Sequence, residues 1–233
     1  MNFTLERVTQ PDIEPVTLDE MKRHLRCFMT VTDEDDDITT LIVAAREWVE
    51  DYTARALIDQ TWRLTLGSRL GGYSIGGDRV SGYTPGLGFG RGWFGERDWL
   101  HWMRSGEIML RKAPIIALTS FVSVDQAGVE TEIDPATYEL REANSKWPRL
   151  VPLNGISWPT TGIFAGFRVT FRAGFANRLG SPQQDASVVP TRFKQAMKLW
   201  AEANYDRDPV MMPLLLDVAQ QIVKPERADL SIA

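Results

Sequence analysis

A chain of 233 residues with 43% hydrophobic content can bury a sizeable core, as one domain or as two closely packed lobes. Its net charge of -5 speaks against a general electrostatic hold on nucleic acid, while leaving room for a local basic face. The single cysteine, Cys27, excludes an internal disulfide and a multi-cysteine metal cluster and fits synthesis in a reducing cytoplasm; its bland role is a small buried apolar side chain. Residues 1–15 show no basic leader followed by an apolar stretch. No window approaches the ~18 uncharged apolar residues of a membrane span, so neither export nor a membrane partner is expected.

In chain order, Thr17 to Glu20 (T-L-D-E) reads as a capping box, and Leu18, Met21, Leu25 and Phe28 form the apolar stripe of a short first helix. The acidic run Asp33 to Asp37 follows, with Asp33 placed to cap a second helix and the remaining carboxylates complementing its dipole. Ile38, Leu41, Ile42, Ala45, Trp48, Val49, Tyr52 and Ala56 then recur at helical steps to about Leu57. The period changes to two at Trp62, Leu64 and Leu66, which predicts a strand with one wet face. Residues 70–106, rich in glycine and aromatics, show neither period and read as a long loop.

Alternation returns at Ile108 and Leu110 and again over Leu118 to Val124, where a turn at Asp125 to Gly128 leads into a strand at Val129 to Ile133. Tyr138 to Arg141 and Phe167 to Phe171 are further strands. The prolines of Lys146 to Pro159 argue against central strand positions there. Pro190 sits at a helix start, and Phe193, Met197, Trp200 and Ala201 mark the apolar face of a helix to about Tyr205. The segment Met211 to Val223, with Pro213 near its start and Pro225 just past its end, is apolar all round, so part of it should pack against something else.

The expected fold class is α+β: a small helical bundle of two N-terminal helices plus a C-terminal helix, with a strand-rich antiparallel middle lobe. The expected divisions are an N-terminal helical part at 1–58 and a strand-rich lobe at 59–188, with its long loop at about 69–106. A returning helix at 189–208 and a tail at 209–233 complete the chain.

Catalytic and metal signatures fail on spacing. Asp33, Asp35 and Asp37 are spaced like the first ligands of a calcium loop, but Ile38 and Ala44 occupy the places that require glycine and a bidentate glutamate. His24 and His101 stand in no metalloprotease or nucleophile-elbow context. Glycines from Gly86 to Gly92 match no nucleotide-binding loop, and Glu130 and Glu132 share a strand face without further chemistry. No catalytic residue, cofactor or metal is therefore expected.

Five segments together carry a resemblance. P-V-T-L-D-E-M-K-R-H-L-R (Pro15 to Arg26) and the stretch Leu41 to Leu66 resemble the opening of the head-tail connector (adaptor, head-completion) family of tailed bacteriophages, also found in prophages and gene transfer agents. L-R-K-A-P-I-I-A-L-T-S-F-V-S-V-D (Leu110 to Asp125) is similar to that family's proline-containing strand entry. Phe167 to Phe175 and Val189 to Asp208 are similar to its last strand and helix. Residues 70–106 are longer and richer in glycine than the family pattern, and the tail after Pro209 is poorly matched.

The resemblance implies a non-enzymatic structural subunit at the head-tail junction of a virion, made in the bacterial host cytoplasm. It implies a homo-oligomeric ring, a dodecamer, beneath the portal protein, with a DNA channel on its axis and the next neck or tail-completion protein below. It also implies a C-terminal segment reaching the portal, which maps onto Met211, Met212, Leu214, Leu215, Leu216, Val218 and Ile222. In the long loop, Arg91, Trp93, Phe94, Trp99 and Trp102 form a candidate interface. Its arginines (Arg69, Arg79, Arg91, Arg97 and Arg104) suit either a protein contact or non-specific contact with DNA in the channel, the protein contact being favoured. Two alternatives stay open: a nucleic-acid-binding module using that Arg/aromatic loop, and an enzyme with a dispersed carboxylate site.

Overall fold

The computed structural model describes residues 3–28, 30, 32–67, 107–125, 127–153, 158, 164–175, 186–206 and 208–228. Within them the chain is α+β, with four α-helices and two antiparallel sheets. The helices are α1 (Leu18–Leu25), α2 (Asp35–Thr53), α3 (Thr191–Asp206) and α4 (Met211–Val223). Strands β1 (Phe3–Thr9), β2 (Gln60–Gly67), β8 (Phe164–Ala173), β4 (Ile115–Asp125) and β5 (Glu130–Glu132) lie in that spatial order in the larger sheet. A smaller sheet runs β3 (Ile108–Met109), β7 (Arg149–Pro152), β6 (Tyr138–Arg141).

The capping box forms as its residue types dictate: the Thr17 hydroxyl accepts from the Glu20 amide at 3.2 Å, satisfying a backbone donor that a helix start leaves free. Two expectations nearby are corrected. Arg26 closes α1 in a left-handed conformation, so Phe28 leaves the predicted stripe and stands 80% exposed. Helix α2 starts at Asp35, so its N-cap is Glu34 rather than Asp33, and that cap makes no side-chain bond to the helix: the Glu34 carboxylate accepts from the Tyr205 hydroxyl instead.

Helix α2 ends at Thr53, where Ala54 turns left-handed and donates to the Glu50 carbonyl. The apolar spacing that predicted helix as far as Leu57 continues because Ala56 and Leu57, in the non-helical link to β2, are buried, each in a different core. One core lies among the helices, with Met21, Ile38, Ile42, Val49, Phe193 and Met197 fully or almost fully covered. The other lies between the two sheets. There Trp62 and Leu64 of β2 stand beside Phe171 and Val169 of β8, and Phe121 packs its ring against Tyr138, Trp158 and Phe167 at 5.1 to 5.6 Å.

Strand β1 escapes an alternation reading because it is an edge strand in which Leu5 is only partly buried and Val8 is exposed, so no deeply buried apolar face marks it. Strand β7 corrects the proline argument directly: it is the central strand of the smaller sheet, and Pro152 is tolerated there as its last residue. The predicted hairpin turn is present. Asp125 Oδ1 accepts from the Ala127 and Val129 amides, and Gly128 takes φ +84°.

Gly174 ends β8 at φ +142°, and a methyl group there would overlap the backbone of Ile58 and Asp59. Its amide donates to the Pro114 carbonyl at 2.9 Å, so its position is fixed from both sides. Gly174→Ala is expected to cost on the order of 3 kcal/mol from backbone strain plus overpacking, read as a lowered midpoint in urea unfolding.

Candidate functional site

Helix α4 begins where Asp208 accepts, through Oδ1, from the amides of Val210 at 2.8 Å and Met211 at 3.3 Å. Pro213 falls in the first turn, where a missing N–H removes no helical bond. Apolar residues then occupy both sides of the helix. On the inner side Ala219 and Val223 are fully buried in the helical core and Ile222 packs against it, with Met212, Leu215 and Leu216 half-buried. On the outer side Val210, Met211, Leu214 and Val218 are 70%, 47%, 58% and 47% exposed. Met211, Leu214 and Val218, spaced by three and four residues, make one continuous stripe, which Val210 adjoins at the helix start.

The structure therefore divides the seven tail residues singled out from sequence: Met211, Leu214 and Val218 are exposed, whereas Met212, Leu215 and Leu216 are half-buried and Ile222 packs against the helical core. The loop residues Arg91, Trp93, Phe94, Trp99 and Trp102 lie outside the described residues, as do Arg69, Arg79, Arg97, Arg104 and His101. Beyond α4 the chain is pinned back onto the body. Arg55 Nε donates to the Glu226 carbonyl at 3.2 Å, Arg192 pairs with the Glu226 carboxylate, and the Ala228 amide donates to the Thr53 carbonyl at 3.2 Å.

Between this pinned segment, the C-terminal end of α2 and the smaller sheet lies a cleft of about 550 Å³. Tyr52, Met109 and Trp147 give it apolar walls, and Arg111, Lys146 and Arg227 make it basic. Burial lowers the pKa of Arg111 from the usual guanidinium value. The Arg227 guanidinium lies 5.3 Å from the centre of the Tyr52 ring, and Lys146 Nζ donates to the Pro225 carbonyl. The cleft's one acid, Asp51, accepts from Lys112 Nζ at 2.9 Å. Sequence reasoning missed this cleft, since its residues come from four distant segments and no spacing rule connects them.

Buried carboxylates are present, but they are joined to cations and amides rather than arranged around the cleft. Glu50, fully buried, accepts through Oε1 from the Leu57 amide at 2.8 Å and from Gln60 Nε2. Through Oε2 it accepts from Arg46 Nη1 at 3.0 Å and Arg7 Nη2 at 3.4 Å. Arg46 Nε also donates to Glu14 Oε2 at 2.8 Å. Burial pushes the pKa of both glutamates upward, against the lowering pull of Arg46. The other carboxylates weighed from sequence are surface groups: Glu130 pairs with Arg168 across the sheet, and Glu132 is exposed. His24 Nε2 stands 2.9 Å from Glu202, and Cys27, half-buried, donates to the Tyr205 hydroxyl oxygen at 3.5 Å.

No protein-family model matches the sequence, and no curated protein does. The α+β fold itself recurs in solved particles. It is similar to a chain in the neck of an empty gene transfer agent particle computed with C6 symmetry, at TM-score 0.63 and 24% identity over 96% of this chain and 95% of that one. It is similar to a chain in the neck of the native gene transfer agent particle computed with C12 symmetry, at TM-score 0.58 and 23% identity over 93% and 94%. A chain of the native gene transfer agent virion matches at TM-score 0.58 and 23% identity over 87% and 84%.

Removing the Glu50 carboxylate leaves the Arg46 charge buried beside unpaired donors. Glu50→Ala is expected to lose roughly 3–5 kcal/mol, while Glu47→Ala, at a half-exposed partner of Arg7, should lose under about 1 kcal/mol; paired urea titrations compare them.

Proposed function

We propose that this chain is a structural subunit of a particle neck: a head-tail adaptor that forms a homo-oligomeric ring under the portal vertex and joins the DNA-filled head to the tail. The observation that carries this reading is the likeness of fold along nearly the whole chain to neck chains of particles computed with cyclic symmetry. The outer stripe of α4 supports it independently. Four large apolar side chains within nine residues stay half-exposed or more although the helix's other side packs on the helical core, and a stripe of that kind gains by burial against another protein. The segment resemblances carried by Pro15 to Arg26 and Val189 to Asp208 point the same way.

In this reading the protein has no catalytic task. Its partners are copies of itself, the portal, and the next neck or tail-completion protein, and its place is the head-tail junction of the virion. Residues 1–58 act as the helical part, apart from β1, which joins the larger sheet; 59–188, 189–208 and 209–233 act as strand-rich lobe, returning helix and docking tail. Within the tail, Met211, Leu214 and Val218 meet the portal, while the inner residues keep α4 on the subunit.

That division changes which experiment is informative. Deleting everything after Pro209 would remove Ala219 and Val223 from the helical core and confound docking with folding. The double variant Leu214→Glu/Val218→Glu touches only the outer face. Mixed with the portal of the same particle, the wild-type chain is expected to cosediment as a stoichiometric ring. The double variant should lose that comigration while keeping the wild-type unfolding midpoint. A wild-type chain that binds neither portal nor a neighbouring neck protein overturns the reading.

A further inference from the structure

We propose that the basic cleft is the socket of the subunit-to-subunit contact, and that its occupant is the acidic start of α2 from the next copy of this chain. The inference rests on the neck-ring reading and adds the residues that join the ring.

Charge complementarity selects the occupant. The cleft brings three cationic side chains, Arg111, Lys146 and Arg227, together over the apolar walls of Tyr52 and Trp147, against a single lining carboxylate, Asp51. An acidic segment is therefore the chemistry it accepts. The chain carries such a segment in Asp33 to Asp37. Asp35 and Glu34 are spent on Lys22 and Tyr205. Asp33, Asp36 and Asp37 are exposed and, among the described residues, make no ion pair, so three carboxylates stand ready for cations from outside.

Geometry then decides between a contact within one subunit and a contact between subunits. The acidic run begins α2 and the cleft sits at its end, beside Asp51, Tyr52 and Ala54. At 1.5 Å per residue, the sixteen steps from Asp36 to Tyr52 place the two about 24 Å apart along a rigid rod. One subunit cannot bring them together, but two can. Each copy then offers its acidic end to one neighbour and its cleft to the other, which is a heterologous contact, and such contacts close into rings when the rotation permits. Duplex DNA fits the observations less well: its phosphates line a broad cylinder, whereas these cations gather in a concave cleft with aromatic walls.

The test uses assembled particles carrying the full chain. After immunoblotting establishes that the wild-type chain is in the particle, Asp36→Cys and Lys146→Cys are introduced together with Cys27→Ser, and the particles are oxidised. The expected result is a ladder of covalent dimers, trimers and higher oligomers on a non-reducing gel, with each single-cysteine variant giving monomer and no ladder. A chain that is incorporated yet stays monomeric overturns the socket and leaves the neck reading standing. A wild-type chain absent from the particle overturns both.

A charge exchange supplies a second readout. Asp36→Lys/Asp37→Lys should reduce incorporation at least tenfold, and adding Lys146→Glu/Arg227→Glu should restore it. Normal incorporation of the first variant, or no recovery in the second, contradicts the proposal. So does a Lys146→Glu/Arg227→Glu chain that still gives its full complement of subunits while packaged DNA is lost, because the cleft would then face DNA.

Discussion

The Glu50 carboxylate is the point at which helices and sheets are fixed to one another. Its two oxygens take donors from α2 itself, from β1, from the chain leaving α2 and from β2. Its own carbonyl accepts from Lys112 Nζ at 3.1 Å, at the entry to β4. A buried charge is tolerable only when nearly every lone pair is used, so each element it binds has little freedom to shift. Trp62 completes the junction, with the Arg7 guanidinium 5.1 Å and the Lys112 ammonium 4.9 Å from its ring, where ring and cation attract.

That junction also explains a strained residue. Lys112 holds φ +68°, a conformation that costs a non-glycine residue on the order of 1 kcal/mol or more. Its amide donates to the Ala54 carbonyl at 3.1 Å while its side chain reaches Glu50 and Asp51; glycine would relax the backbone and forfeit both side-chain bonds. The same logic sets the pH response of the cluster. Because burial raises Glu14 and Glu50, folding favours their protonated forms. Their contribution to stability is therefore full below the ordinary carboxylate range and declines as pH rises through the raised values.

Most of the elements were legible because each has a local cause. Thr17 and Glu20 declare a helix start, the spacing of Ile38 to Tyr52 declares α2, and Trp62, Leu64 and Leu66 declare β2. What stayed hidden depends on distant partners. Strand β1 exists because β2 lends it hydrogen bonds, not because Leu5 or Val8 is deeply buried. Arg46 and Glu50 sit four apart on α2 and read as an ordinary surface pair, whereas Glu14, Arg7 and Gln60 make them interior. The tail was recognisable as apolar all round, but which side is covered follows from where α3 and the α2 terminus lie.

The residues that stabilise the subunit are thus different from those of the proposed assembly surface. The buried junction holds one subunit in shape before any partner arrives. The outer stripe of α4 contributes nothing to that shape while it stays in water. Covering four half-exposed apolar side chains yields on the order of 3 kcal/mol per subunit, too little to hold one subunit on a partner once association entropy is counted. Repeated around a closed ring, the same contact becomes intramolecular after the first subunits engage, and its strength multiplies without any new residue. In the proposed ring a weak stripe is then an advantage, because each single contact stays reversible and only the closed circle would hold.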